Sequence, residues 1–178
     1  ILDCRREPRL CSPNAECVEG AGDEYVCVCR SGYRGDGARC SAASRNEGNY
    51  LVYAQGNKIM RISADESSGD IGEIIAYEPG MLAVGVEIDC QEGDVYWTDA
   101  AKGVIKRSKL NGSDMQNIVN GMKSPEGIAI DFVARNMFFT DSEMDSLMVS
   151  KLNGSDMKTL VNTDMLNPRA IVLDIDRG

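Results

Sequence analysis

The sequence predicts an all-β protein in which a small disulfide-rich module is followed by a run of stacked antiparallel sheets. Two observations support this fold class. Six of the seven cysteines lie within the first forty residues of the 178-residue chain. From residue 50 onward the sequence repeats with a period of about 42 residues. A cysteine-rich segment ahead of a repeat array indicates two unequal domains, because ordinary domains contain about 100 to 150 residues.

The clustered cysteines predict disulfide bonds and therefore an oxidising, extracellular compartment. A segment this short buries too little apolar surface to fold by itself, so crosslinks worth about 2 to 4 kcal/mol each are expected to hold it. Zinc is the other common use of clustered cysteines, but paired Cys-x-x-Cys half-sites are absent and the sequence contains no histidine. We therefore expect no metal and no cofactor. The spacing alone leaves the pairing of the cysteines open.

The second half of the cysteine segment resembles the epidermal growth factor (EGF)-like module. The resemblance rests on Cys27-Val28-Cys29, on the glycine-rich residues 32–37 and on the closing Cys40. It implies a module over residues 1–41 that is followed by a linker over residues 42–49. It also implies three disulfide bonds, which join Cys4 to Cys17, Cys11 to Cys27 and Cys29 to Cys40.

One tripeptide in this module matches the motif that integrins recognise. Arg34, Gly35 and Asp36 would have to be displayed on an open loop for a receptor to bind the carboxylate. The alternative is that the glycines here simply form the turn of the module, and a three-residue match arises easily by chance. The turn is the favoured interpretation, and cell adhesion by an Asp36→Glu variant would discriminate between the two.

The repeat region predicts four-stranded antiparallel sheets. Each unit contains four short apolar runs rich in β-branched and aromatic residues, separated by proline, Asn-Gly and aspartate-rich segments. The Asn-Gly pairs at residues 111–112 and 153–154 predict tight hairpin turns. Two segments share one register, since residues 95–99 and 110–115 recur as residues 137–141 and 152–157. A third segment, residues 124–131, returns as residues 167–174.

A single sheet of this size cannot bury both faces, so neighbouring copies are expected to stack around an axis as propeller blades. The aromatic pairs Tyr96-Trp97 and Phe138-Phe139 are expected to pack between blades. Residues 96–99 read Tyr-Trp-Thr-Asp and resemble the YWTD, or low-density lipoprotein receptor class B, repeat. The resemblance implies a six-bladed β-propeller, of which residues 50–178 supply roughly half.

Mapped onto such blades, the repeat region gives the last three strands of a first blade, two whole blades and the innermost strand of a fourth. Half a ring would expose sheet edges and an apolar blade face. We therefore expect the chain alone to be poorly soluble or partly unfolded.

Three further segments resemble the nidogen family of secreted basement-membrane glycoproteins. They are residues 51–56, Asp89-Cys90 and residues 167–171. The resemblance implies a propeller that binds an EGF-like module of the laminin γ chain and helps crosslink the laminin and collagen IV networks. Perlecan and integrin are further partners implied for the parent protein. The alternative is the ectodomain of a lipoprotein-receptor-like endocytic or signalling receptor, and a membrane span downstream would identify it.

Charge and composition argue against several other classes of function. The net charge is −9 and the basic residues are scattered among acidic ones, so neither nucleic acid nor an anionic membrane is an expected partner. No segment approaches the roughly 18 apolar residues of a membrane span. Catalysis is not expected either, since histidine is absent and the carboxylates recur at fixed positions of the repeat.

Candidate partner-binding residues lie on the loops that enter each innermost strand or follow each second strand. Arg169 is the first candidate, because a guanidinium group offers two parallel donors to a carboxylate or carbonyl group. Glu126, Lys102 and Asp145 lie on the same predicted face. Arg169 could instead pair with the recurrent carboxylates, which would then tie the blades together; these are Asp99, Asp131, Asp141 and Asp174.

Two sequons and one unpaired cysteine complete the set of candidate sites. Asn111 and Asn153 each begin an Asn-Gly-Ser acceptor pattern for N-glycosylation, although Asn-Gly is also what a tight turn requires. Cys90 is the odd cysteine, and it is expected to be free and buried or paired outside this segment.

Overall fold

The computed structural model describes residues 4–5, 10–19, 25–30, 33–35, 37–42, 49–64 and 72–175. These residues form 15 β-strands in five antiparallel sheets. The chain divides into two compact units, Ile1–Gly48 and Asn49–Gly178. In the parts of the chain that are described, no helix has the length and apolarity needed to cross a membrane.

The first unit contains two short hairpins held by three disulfide bonds. Strand β1 (Ala15–Glu19) pairs with β2 (Tyr25–Cys29), and β3 (Tyr33–Gly35) pairs with β4 (Cys40–Ala42). The bonds join Cys4 to Cys17, Cys11 to Cys27 and Cys29 to Cys40, which is the pairing that the EGF resemblance implies. Residues 43–48 of the predicted linker lie outside the described part of the chain.

The second unit consists of three consecutive sheets, each with its strands in simple sequential order. The first has three strands and the other two have four, as the YWTD resemblance implies. The first sheet contains β5 (Tyr50–Gln55), β6 (Lys58–Ser63) and β7 (Glu73–Tyr77). The second contains β8 (Ala83–Asp89), β9 (Asp94–Asp99), β10 (Val104–Lys109) and β11 (Gln116–Val119). The third contains β12 (Pro125–Asp131), β13 (Asn136–Asp141), β14 (Ser146–Lys151) and β15 (Lys158–Val161).

The predicted innermost strand of a fourth blade does not form. Residues 168–175 follow the same sequence pattern as β12 but adopt no strand conformation. A strand exists only when its backbone groups pair with a neighbour. No such neighbour lies beside this segment among the described residues, so the sequence pattern alone does not produce a strand.

The aromatic residues of the YWTD segment pack between blades, which confirms their predicted role. Tyr96 and Trp97 point to opposite faces of β9, as successive residues of a strand must. Tyr96 belongs to an apolar cluster that includes Phe139 of the third sheet. Trp97 belongs to a second cluster, together with Ile59 and Ile75 of the first sheet. Each aromatic residue that is fully buried in this way contributes about 1.5 to 3 kcal/mol to stability.

The Asn-Gly pairs form tight hairpin turns, as the sequence predicts. The Gly112 amide donates to the Lys109 carbonyl group at 2.8 Å, and the Lys109 amide donates to the Ser113 carbonyl group at 2.9 Å. This pattern is a four-residue turn followed by a glycine bulge with φ of 80° at Gly112. A Cβ atom on Gly112 would lie 2.3 Å from the carbonyl oxygen of Ile75 in the preceding sheet. The glycine is therefore required by close packing between blades as well as by the turn.

Asp99, Asp131 and Asp141 do not tie the blades together, contrary to the sequence-based prediction, which stays a prediction for Asp174. Asp99 Oδ1 accepts hydrogen bonds from the backbone amides of Leu82 (3.0 Å) and Lys102 (3.2 Å), both of which belong to loops of its own blade. Asp141 acts in the same way on the amides of Lys123, Ser124, Glu143 and Met144. Asp131 accepts from Val133 and Ala134 in the next turn. A short carboxylate satisfies adjacent backbone amides that the sheet leaves unpaired, and this local role replaces the expected inter-blade one.

Candidate partner-binding face

A recurring threonine joins the second sheet to the third, and the third sheet to the segment that contains Arg169. Thr98 Oγ1 accepts a hydrogen bond from the Gly85 amide at 2.8 Å. The same hydroxyl group donates to the carbonyl oxygen of Glu126 in the following blade, also at 2.8 Å. Both contacts depend on a bulge in β8, where Val84 and Gly85 together lie opposite Thr98. The threonine hydroxyl group thus replaces the ladder hydrogen bond that the bulge removes.

The same arrangement recurs one blade later and fixes the backbone of Arg169. Thr140 Oγ1 accepts from the Gly127 amide at 2.9 Å and donates to the carbonyl oxygen of Arg169 at 2.6 Å. A Cβ atom on Gly127 would lie 2.1 Å from that carbonyl oxygen, so the two backbones touch. Arg169 is therefore positioned by main-chain contacts even though its segment forms no strand.

These contacts define one position of the repeat, occupied in turn by Val84, Glu126 and Arg169. In the two later copies, the backbone carbonyl group at this position accepts the threonine hydrogen bond. The side chain does not take part in that bond, and it is apolar, acidic and basic in turn. The three residues border a cavity of about 390 Å³, lined by residues 84–87, 126–128 and 169–171. The cavity lies along the innermost strands, where bulges commonly redirect side chains toward a site.

Glu126 and Arg169 form the central ion pair of this cavity. Arg169 Nη1 lies 2.7 Å from Glu126 Oε2. The other carboxylate oxygen, Oε1, accepts a hydrogen bond from Ser142 Oγ at 2.8 Å. The Glu126 side chain is 10% exposed and that of Arg169 is 70% exposed. Glu126 therefore acts as a buried anchor, and most of the guanidinium group stays open to a partner.

Asp145 supports the loop that leads into Arg169. Its Oδ1 atom accepts a hydrogen bond from the Asn167 amide at 2.8 Å. Asp145 and Asn167 have φ values of 46° and 47°, in the left-handed region that short polar residues tolerate. Asp145 is thus brought to the predicted face, but its carboxylate is used to position the residues ahead of Arg169.

Lys102 lies on the equivalent loop of the preceding blade and forms an ion pair of its own. Its Nζ atom contacts Glu78, and Lys106 Nζ lies 2.6 Å from the other Glu78 oxygen. The hydrogen bonds from Lys102 and then Lys106 hold the pKa of Glu78 below its ordinary value of 4.5. The hydrogen bond to Glu78 in turn raises the pKa of Lys102. The structure pairs Lys102 with Glu78 and not with the Glu126 and Arg169 pair.

Sequence reasoning did not single out Ser142, Glu78 or Lys106. Ser142 follows the aspartate of its repeat, at the position that Ala100 occupies one blade earlier. That departure from the repeat was the available signal, because a hydroxyl group beside a candidate carboxylate can bind it. Glu78 and Lys106 carried no such signal, since only the fold brings the two together.

The other candidate sites lie elsewhere. Arg34 and Gly35 form part of β3, and Asp36 lies outside the described residues. Cys90 is free within this chain and exposed, which contradicts the buried alternative. It follows the last residue of β8, and a turn at a strand end leaves little apolar structure to cover it. Pairing with a cysteine outside this segment stays a prediction. The sequons at Asn111 and Asn153 occupy the hairpin turns described above.

Both units match described protein families. Residues 4–40 match the EGF domain. Residues 93–132 and 135–175 match the low-density lipoprotein receptor repeat class B. The first match coincides with the disulfide-bonded hairpins, and the second spans most of the two four-stranded sheets.

Three curated proteins illustrate the similarity. Low-density lipoprotein receptor-related protein 4 of Rattus norvegicus is 35% identical over 109 residues, which cover 59% of this chain and 6% of that protein. Nidogen-2 of Mus musculus is 40% identical over 86 residues, with coverages of 46% and 6%. Nidogen of Drosophila melanogaster is 32% identical over 128 residues, with coverages of 71% and 9%. The chain thus spans only a small part of the length of each relative.

Solved structures show the same similarity in three dimensions. A chain of a nidogen/laminin complex superposes with a TM-score of 0.69 at 35% identity, covering 74% of this chain and 51% of that one. A streptogramin B lyase superposes with a TM-score of 0.56 at 16% identity, covering 74% and 43%. At that identity the lyase shares the fold alone.

Proposed function

We propose that the chain, which matches an EGF domain and low-density lipoprotein receptor class B repeats and is similar to nidogens, is an adaptor of the extracellular matrix. In this proposal the propeller binds an EGF-like module of the laminin γ chain. Through its parent protein it also helps to crosslink the laminin and collagen IV networks of basement membranes. Support comes from the similarity to a nidogen chain that was solved with laminin.

The observation that carries the proposal is the exposed guanidinium group of Arg169 above a buried anchor. Glu126, which is itself held by Ser142, binds one edge of the group and leaves most of it exposed. An arginine fixed in this way loses little side-chain entropy when it binds, and arginine is enriched among residues that dominate binding energy. A carboxylate or carbonyl group on a partner loop would suit its free donors.

The cavity beside Arg169 suits a protruding loop of a partner protein. Its walls are the ends of innermost strands, whose backbones are fixed by the Thr98 and Thr140 contacts. A preformed surface of this kind binds with little rearrangement. Lys102 and Asp145, on flanking loops of the same face, would contribute to the polar rim.

The test is a binding titration between the 178-residue chain and a recombinant EGF-like module of a laminin γ chain. Arg169→Ala should weaken binding by about 2 kcal/mol, or about thirtyfold in Kd. Ser142→Ala should weaken it less, because it loosens the anchor and leaves the guanidinium group in place. Lys158→Ala is the matched control, since Lys158 is an exposed cation on the outermost strand β15.

Folding of each variant is checked by the fluorescence of Trp97, the single tryptophan of the chain, which is fully buried. Wild-type affinity in a folded Arg169→Ala variant would contradict the assignment of Arg169. No binding by the folded wild-type chain would contradict laminin as the partner.

A receptor ectodomain is the second candidate, because the similarity to receptor-related protein 4 covers 59% of the chain. The repeats are common to both classes, so this similarity does not discriminate between them. A panel of laminin modules and soluble receptor ligands, tested on the same chain, would separate the two assignments.

We propose a binding role and not a catalytic one. The buried carboxylates of Asp99 and Asp141 accept hydrogen bonds from backbone amides. The carboxylate of Glu126 accepts hydrogen bonds from Arg169 and Ser142. A general acid or base needs a carboxyl group that is free to exchange a proton with substrate. Turnover of a glycoside or ester substrate by the purified chain would contradict this proposal.

A further inference from the structure

The two sequons occupy the same kind of site in consecutive blades. Asn111 lies in the turn between β10 and β11, and Asn153 lies in the turn between β14 and β15. Both asparagines and both serines of the sequons are exposed. We propose that Asn111 and Asn153 each carry an N-linked oligosaccharide, and that these glycans project from the end of the blades opposite the Arg169 face.

Strand direction places the sequons at that opposite end. In the register of β9 with β10, Asp99 pairs with Val104 at one end and Asp94 pairs with Lys109 at the other. Asp99 belongs to the end that contains the Lys102 loop and the entry to the innermost strand. The sequon turn begins after Lys109 and is therefore a full strand length away. The register of β13 with β14 places Asn153 at the same end of its blade.

The local geometry presents the acceptor nitrogen. Asn111 Oδ1 accepts hydrogen bonds from the Ser113 amide at 3.0 Å and from Ser113 Oγ at 2.7 Å. Both bonds hold the carboxamide by its oxygen, and Nδ2 makes no hydrogen bond to the described residues. Donation by the hydroxyl group to the carboxamide oxygen also withdraws electron density from the amide. Asn153 Oδ1 accepts the equivalent amide bond from Ser155 at 3.0 Å.

The turn accounts for the glycine of each sequon but not for its serine. Gly112 and Gly154 have φ values of 80° and 82° and touch the carbonyl groups of Ile75 and Ile118 in the preceding blades. The fold therefore requires glycine there. Ser113, by contrast, is exposed, and its hydroxyl group donates to the asparagine itself. A hydroxyl group used only to polarise an exposed carboxamide is what glycan transfer requires.

The modification is a group transfer from a lipid-linked donor. Asn111 Nδ2 forms a bond to the anomeric carbon of the first N-acetylglucosamine of a polyprenyl-diphosphate oligosaccharide. The bond between that carbon and the phosphate oxygen breaks, and the lipid diphosphate leaves with the electron pair. The amide proton that is displaced passes to a base of the transferase. Asn153 reacts in the same way.

The test is the mass of the 178-residue chain expressed with a secretion signal in eukaryotic cells. The wild-type chain should carry two glycans. Digestion with peptide-N-glycosidase in heavy-oxygen water should leave a labelled aspartate at positions 111 and 153. Ser113→Ala and Ser155→Ala should each remove one glycan, and the double variant should carry none. Ser113→Thr is the matched control and should keep its glycan, because it retains the hydroxyl group.

Glycan attachment depends on passage through the secretory pathway and not on laminin binding, so its outcome is read independently. Only the test of the opposite-face assignment uses the laminin module and rests on the proposed function. Non-reducing peptide mapping of the Cys29–Cys40 bond checks that the same sample reached an oxidising compartment. Chain that is retained in the cells is digested and mapped in the same way, since transfer precedes secretion. A disulfide-bonded chain with label at neither asparagine overturns the inference. If only one asparagine is labelled, the inference is overturned for the other asparagine. A Kd for the laminin module that changes more than threefold on deglycosylation overturns the opposite-face assignment.

Discussion

At the residue scale, the junction between the second and third sheets depends on one hydroxyl group. Thr98 satisfies the Gly85 amide in its own blade and the Glu126 carbonyl group in the next, and it is fully buried. A buried donor or acceptor that loses its partner costs about 1 to 3 kcal/mol. The threonine of the YWTD segment therefore joins the blades, whereas the aspartate beside it organises its own loops.

We expect Thr98→Val to lower the free energy of unfolding by about 1 to 3 kcal/mol, because it preserves the shape and leaves two buried backbone groups unpaired. Urea unfolding followed by Trp97 fluorescence measures the change. Thr98→Ser keeps the hydroxyl group and should cost less. Equal midpoints for the valine and wild-type proteins would show that the bond does not stabilise the junction.

Glu78 makes a second contribution, and this one depends on pH. The hydrogen bonds from Lys102 and Lys106 lower its pKa in the folded state below 4.5. A carboxyl group with a lowered folded pKa stabilises the protein above its unfolded pKa, and the contribution is lost as the pH falls through the folded value. The Lys106 side chain is only 7% exposed, so loss of the charge of Glu78 leaves a buried ammonium group without its carboxylate.

We therefore expect Glu78→Gln to be less stable than the wild type above pH 4.5 and to approach it at lower pH. Unfolding midpoints measured as a function of pH give the comparison. Glu92→Gln, at an exposed turn residue, is the control and should follow the wild type. A stability difference that is constant with pH would mean that the ion pair does not account for it.

At the scale of single elements, the sequence predicted the repeat period, the number of strands in each sheet of the second unit, and the aromatic residues that pack between these sheets. Alternating apolar residues and turn residues are local signals, so they can be read without the fold. The prediction of a strand at residues 168–175 was wrong, because a strand needs a neighbouring strand to pair with, and a local sequence pattern does not show whether one is present. The position of Ser142 in the repeat gave a local signal for its contact with Glu126, but the geometry of that contact depends on a bulge in β12 that the sequence does not show.

That bulge predicts a strong effect of one methyl group. In Gly127→Ala the added Cβ atom would lie 2.1 Å from the carbonyl oxygen of Arg169, and a backbone atom cannot rotate away. We expect a loss of 1 to 3 kcal/mol in stability, about the cost of overpacking, together with weaker laminin binding because Arg169 is displaced. Denaturant unfolding and the binding titration measure the two effects.

Gly121→Ala is the control for Gly127→Ala. A Cβ atom on Gly121 meets nothing within 4 Å, although its φ of 79° makes alanine unfavourable there. It should lower stability without affecting binding. If Gly127→Ala bound laminin normally, the junction would not control the position of Arg169.

At the scale of the whole molecule, the blade faces of the second unit are unequally covered. Val119 in β11 is 4% exposed, whereas its repeat partner Val161 in β15 is 37% exposed. Ala129 is 2% exposed, whereas Val172 at the matching position is 88% exposed. The third sheet covers the second, but no described residue covers the third sheet in the same way. An apolar surface of this kind promotes association.

We expect the purified 178-residue chain to self-associate as its concentration rises, which sedimentation velocity can measure. Val172→Lys should shift the equilibrium toward monomer, because it replaces an exposed apolar residue of the segment after the third sheet with a charge and removes no buried contact. Val133→Lys is the matched control, since Val133 is 70% exposed in the turn after β12 and lies away from the uncovered face. A chain that stays monomeric at every concentration, or equal responses of the two variants, would show that the uncovered face does not drive association.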